Sequence, residues 1–121
     1  MNPVLLTTLI ALMNISRSAA HVGPLAEDPV LQARAQERAE RMCAAGQFSH
    51  DGFEGVFRGL HYRTYGENLA KGHRDPGMVH AQLMNSAGHR ANILKPEFDS
   101  VGVGMSPACN ITVELFGGRG N

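Results

Sequence analysis

The sequence predicts an α+β domain in which helices stack on an antiparallel sheet. Three observations carry this reading. Apolar residues recur at three- and four-residue spacing through the first third of the chain. Two segments near the C-terminus, 100–105 and 110–116, alternate at period two about a Pro107–Asn110 turn, as an antiparallel hairpin does. A third strand-like run, Arg63–Ala70, lies between these regions.

A first helix is expected over 3–18, with Leu5, Leu9, Leu12 and Met13 on one side and Pro3 in the first turn. The same stretch resembles the apolar part of an export signal, with Ser18-Ala19-Ala20 like a cleavage site. No Lys or Arg precedes the run, so the domain helix is the preferred reading. The run is too short and too broken by threonine to cross a bilayer. Val22-Gly23-Pro24 ends the helix, and Asp28-Pro29 opens a second as N-cap and first position. On it Leu31, Ala35, Ala39 and Met42 form a buried stripe, Arg34, Glu37, Arg38 and Arg41 face water, and Gly46 ends it. A short helical piece follows over Phe53–Leu60. Asp75-Pro76 starts another helix running to about Asn85, and Gly88–Leu94 a last one, stopped at Lys95-Pro96. His80 is expected to cap a surface, and Phe48, Phe57, Phe98 and Phe116 to lie in the core.

Composition narrows the function classes. With 121 residues, 43% of them hydrophobic and 18% charged, the chain suits one globular domain over 1–121. Eleven basic residues balance eleven acidic ones, with no basic run, so neither nucleic acid nor a polybasic membrane anchor is expected as a partner. Cys43 and Cys109 lack a CxxC context, which argues against a thiolate zinc site. They form either one long-range bridge or two small buried side chains.

The polar residues in the richest settings are His50, directly after the Gly46 break; Glu67 and Asn68, consecutive on a strand and so on opposite faces; and His89, in the first turn of a helix that Ser86 could cap. These carry a resemblance. Phe48-Ser49-His50, Gly66-Glu67-Asn68-Leu69-Ala70, the run Met84–Leu94, Val101-Gly102-Val103-Gly104 and Phe116-Gly117, in that order, resemble the CAP superfamily (SCP or PR-1 domain) in its short bacterial form. Leu12-Met13-Asn14, Arg17, Pro24-Leu25 and Asp28-Pro29 extend the likeness over nearly the whole chain.

The resemblance implies a three-layer α-β-α sandwich with a small antiparallel sheet and a cleft lined by two histidines and two acids. His50, His89 and Glu67 map onto it, whereas Ser86 stands where other members carry the second acid. The helix aromatic common in the family appears as Leu83. Two imidazoles and a carboxylate suit three tasks. His50 and His89 could hold zinc or another divalent cation, although no cofactor is required. With Glu67 they could act as catalytic acid and base in a peptidase-like hydrolase, Ser86 or Ser49 serving as nucleophile. Or they could form a structural polar network. A non-enzymatic module binding a metal, a small apolar ligand or a protein partner through His50, Glu67, Asn68, Ser86 and His89 is the preferred reading. Asn68 and Asn92 are expected to hold the cleft wall, and Arg90 to pair with Glu97 or Asp99. The family implies a secreted, extracellular protein; a component of a virion or other assembly is the alternative.

Overall fold

A computed structural model describes residues 3–120. The elements run α1 Pro3–Ala19, β1 Ala26–Glu27, α2 Pro29–Ala45, α3 Phe53–Val56, β2 Thr64–Lys71, α4 Pro76–Met84, α5 Ala87–Ile93, β3 Ser100–Ser106 and β4 Ile111–Gly118. The helix starts follow the chemistry expected of them. Asp28 accepts the Val30 and Leu31 N–H groups at 2.8 and 3.1 Å, and Asp75 does the same for Gly77 and Met78. Gly46 closes α2 with a left-handed φ of 63°.

The sheet order is β1-β3-β4-β2, with β4 antiparallel to both neighbours. One layer sets α1, α4 and α5 on the sheet through Leu9, Met13, Val79, Leu83, Ile93 and Phe98. The other sets Leu31, Ala35, Ala39 and Met42 of α2 on Leu69, Val113 and Leu115. The result is the expected α+β sandwich. Every residue of β3 and β4 is buried, because both sheet faces are covered. The period-two alternation of β3 therefore sorts large from small. Val101 and Val103 face the α1 layer, while Gly102 and Gly104 face α2. A Cβ on Gly102 would lie 2.2 Å from the Leu31 carbonyl carbon, and one on Gly104 2.3 Å from that of Ala35. Only glycine lets the helix come this close.

On the edge of β3 beyond β1, side chains of α2 replace a strand. Gln32 Oε1 accepts the Val103 N–H at 2.8 Å, and Gln36 Oε1 accepts the Met105 N–H at 2.9 Å. Gln36 Nε2 also donates to the Met105 carbonyl at 3.0 Å. Cys43 and Cys109 are bridged, Cα to Cα 5.7 Å, tying the end of α2 to the β3–β4 turn across 66 residues.

Several expectations are corrected. The sheet is mixed, since β1 pairs parallel with β3 through Ala26 and Glu27, too short a segment to leave a period in the sequence. Only Phe53–Val56 of the 53–60 stretch is helical, and Gly59 turns the chain at φ +81°. His80 is buried, with Nε2 2.8 Å from Ser16 Oγ, because α4 presses its inner face onto α1. Phe48 is exposed, its ring beneath the Lys71 ammonium. Arg17 is fully buried and donates to the carbonyls of Gly23, Ile93, Lys95 and Phe98, fastening α1 to the connection between α5 and β3.

Candidate functional site

The site forms where edge strand β2 meets the loop after α2 on one side and α5 on the other. Ser49 Oγ accepts the Asp51 N–H, and the His50 carbonyl accepts the Phe53 N–H, fixing a tight turn. The turn holds the His50 ring outward, its side chain 61% exposed, with Nδ1 2.9 Å from Glu67 Oε1. Glu67 points to the α2 face and is buried. Since a carboxylate only accepts, Nδ1 is the donor, and the lone pair of neutral His50 falls on Nε2.

Both Glu67 oxygens are also claimed by Arg38. Its Nε bonds Oε2 and its Nη2 reaches Oε1 at 3.1 Å, while the same guanidinium donates to the Ser49 and Asp51 carbonyls. Arg38 was expected in water; a buried strand acid opposite α2 pulls it inward instead. Nothing local in the sequence marks the pair, since Arg63 and Lys71 stand closer to Glu67 along the chain than Arg38 does.

Asn68 points to the other face. Its Nδ2 donates to the His89 carbonyl and to Glu114 Oε1, both at 3.1 Å. Asn92 Nδ2 donates in turn to Asn68 Oδ1 at 2.9 Å and to the Glu67 carbonyl at 3.3 Å. The two amides clamp α5 against β2 and so place His89 beside the strand. Burial, then the charge of nearby His50, lowers the His89 pKa, and the ring makes no side-chain hydrogen bond among the described residues. Ser86 stands at the N-cap of α5 but makes no capping hydrogen bond through its side chain. Arg90 donates to the Met84 carbonyl, and the expected pairing with Glu97 or Asp99 is absent because its side chain folds back over the end of α4.

Glu114 was not anticipated. It is fully buried at the sheet centre with Oε2 unpartnered, and burial pushes its pKa up to about 7 against the single opposing hydrogen bond from Asn68. Its place in the period-two strand, alternating with Val113 and Leu115 as Thr112 does, is that of an ordinary outward residue, so nothing local in the sequence marks it.

The donor set fits a divalent cation poorly. Glu67 is committed to Arg38, whose positive charge would oppose an ion there, leaving two imidazoles. No three His, Cys, Asp or Glu side chains converge on a metal position among the described residues.

The model of the CAP family of cysteine-rich secretory proteins matches residues 10–116. The chain belongs to the CAP family. It is similar to the uncharacterized protein YkwD of Bacillus subtilis, 34% identical in an alignment 118 residues long that covers 92% of this chain and 46% of that protein. It thus spans about half the length of this relative. Among solved structures, an extracellular SCP-domain protein from Bacillus anthracis aligns over 95% of this chain and 40% of its own, with a TM-score of 0.89 and 26% identity. An outer surface protein from Borrelia burgdorferi shares the fold alone, at a TM-score of 0.83 and 21% identity over 93% of this chain and 91% of its own.

Within this CAP domain His50 is hydrogen-bonded to Glu67, and His89 lies on α5 beside the same strand. Nucleophilic catalysis needs a hydroxyl within reach of a base. Among the described residues neither Ser49 nor Ser86 donates to His50 or His89. No helix is long and apolar enough to cross a membrane among those residues.

Proposed function

We propose that this CAP domain is a non-enzymatic binding module acting outside the cell, whose cleft takes up a small ligand or a partner side chain between His50 and His89. One observation carries the reading: Arg38 and His50 hold Glu67 as a fixed anchor, so the carboxylate orients the His50 ring and is not a free base or metal ligand. The ligand this favours accepts or donates hydrogen bonds to neutral imidazole. The bridged Cys43 and Cys109 suit an oxidising compartment, and the similar protein of Bacillus anthracis is described as extracellular.

The test is a fragment screen by NMR that follows the histidine ring resonances. Hits are expected to shift His50 and His89 together and to be lost in His50→Ala and in His89→Ala. Hits that leave both rings unmoved overturn the proposal. Peptide or ester hydrolysis abolished by both substitutions would instead establish a hydrolase. A rise in Tm with zinc that vanishes in the double variant would establish a metal site.

A further inference from the structure

The polar face of α2 is only partly open to water, with Glu37 and Arg41 exposed and Arg34 and Arg38 half-buried. The segment after His50 folds beside it, and between them runs a groove of about 570 Å³ walled by Arg34, Arg38, Arg41 and Arg58, with Glu37 and Asp51 as its acids. A smaller recess continues along the helix past Arg38 and Arg41 to Ala45. From Arg34 to Ala45 the helix advances about 16 Å at 1.5 Å per residue. The two recesses together follow about three turns of the helix, and the larger has the volume of a site for a small molecule or a few units of a chain. Neither His50, Glu67 nor His89 forms part of its walls.

The four guanidinium groups are differently engaged. Arg38 is committed to Glu67, and Arg41 pairs with Glu37 on the exposed helix surface. Such a surface pair contributes little and opens readily. Arg34 is held in place through Nη1 alone, which donates to the carbonyls of Val56 and Arg58. Its Nε and Nη2, and the entire Arg58 guanidinium, have no hydrogen-bond partner among the described residues. Two donor forks thus face one groove, one of them already fixed by the backbone. That arrangement suits an oxyanion gripped by two N–H groups at once. Counting Glu67, four arginines stand against three acids, a net charge of about +1. Affinity must then come from directed forks, not from a bulk positive field.

We propose that this groove is a second binding site, for a short extended chain bearing phosphate or carboxylate groups, gripped by Arg58 and Arg34. It adjoins the histidine cleft through Arg38 and Asp51 but includes neither histidine. The test uses calorimetry and arginine Nε–Hε NMR at low salt, with tripolyphosphate and a triglutamate peptide as probes that separate the two oxyanion chemistries. At least one probe is expected to bind one-to-one with a sub-millimolar Kd. Arg58→Glu should weaken it about tenfold or more, and Arg74→Gln, remote from the groove, should leave it unchanged. Arg58→Gln serves the same purpose should charge reversal lower Tm. Three results each overturn the proposal: no binding of either probe up to about 10 mM, affinity indifferent to both Arg58 substitutions, or shifts spread equally over Arg63, Arg74 and Arg119.

Discussion

Arg38 decides how Glu67 and the His50 loop are held. It compensates a buried carboxylate and bonds the loop that carries His50, so its removal acts on both. Arg38→Leu is expected to destabilise by about 3 kcal/mol, as removal of one partner from a buried ion pair does. The Arg38→Leu/Glu67→Leu double variant should recover most of that in urea unfolding. If the single and double variants lose the same amount, the ion pair is not what holds the site. Glu114 makes a pH-dependent prediction. Its folded pKa of about 7 lies above its ordinary value of 4.5, so between these pH values the folded state holds the extra proton. Its contribution is fully present below about pH 4.5 and is lost as pH rises through about 7. Glu114→Gln should remove that loss. The variant's stability relative to the unsubstituted chain, from unfolding at pH 5 and pH 8, should be higher at pH 8; equal differences would refute it. The contacts of His50 with Glu67 and of Asn68 with the His89 carbonyl could be foreseen, because polar residues beside helix and strand boundaries in a fixed order are a local signal. Those of Arg38, Arg17 and Glu114 could not. Arg38 finds its partner 29 residues along the chain, and Glu114 looks like any polar residue of a half-exposed strand until both sheet faces are known to be covered.

At the level of elements, the contact of α2 with β3 is set by two glycines. Gly104→Ala places a methyl 2.3 Å from helix backbone that no rotamer change can move. The expected cost is about 3 kcal/mol or more, at the upper end for overpacking. Gly88→Ala is the matched control. It lies within α5 with nothing within 4 Å of the added Cβ, and should stabilise by about 0.5–1 kcal/mol. Denaturant midpoints moving in the same direction for both would contradict this account. Helix starts at Asp28-Pro29 and Asp75-Pro76 were legible because capping is local chemistry. Strand β1 was not, since two residues carry no period and its existence depends wholly on β3 lying alongside.

For the molecule as a whole, the Cys43–Cys109 bridge joins the α2 layer to the sheet's hairpin turn. Closing a loop of 66 residues limits the unfolded chain by about 4 kcal/mol in the chain-entropy picture. Cys43→Ala/Cys109→Ala is expected to lower Tm by about 10–20 °C in a domain of this size. A change under about 3 °C by calorimetry would assign the bridge no structural weight. The sandwich could be foreseen from the order of the motifs, whereas the bridge could not be decided, because pairing needs a distance and the sequence supplies only a separation.

The two glutamines on the β3 edge have a consequence for how the chain can vary. Gln32 and Gln36 stand one turn apart, an advance of about 6 Å. The amides of Val103 and Met105 that they receive are two strand residues apart, about 6.6 Å. Helix and strand are therefore geared like rack and pinion, tooth matched to tooth. Deleting any one residue between the two glutamines would swing one tooth about 100° around the helix and out of mesh. The far end of α2 is no freer, since Cys43 is bridged to Cys109 and Met42 is packed on the sheet, so the helix tolerates no change of length along either segment.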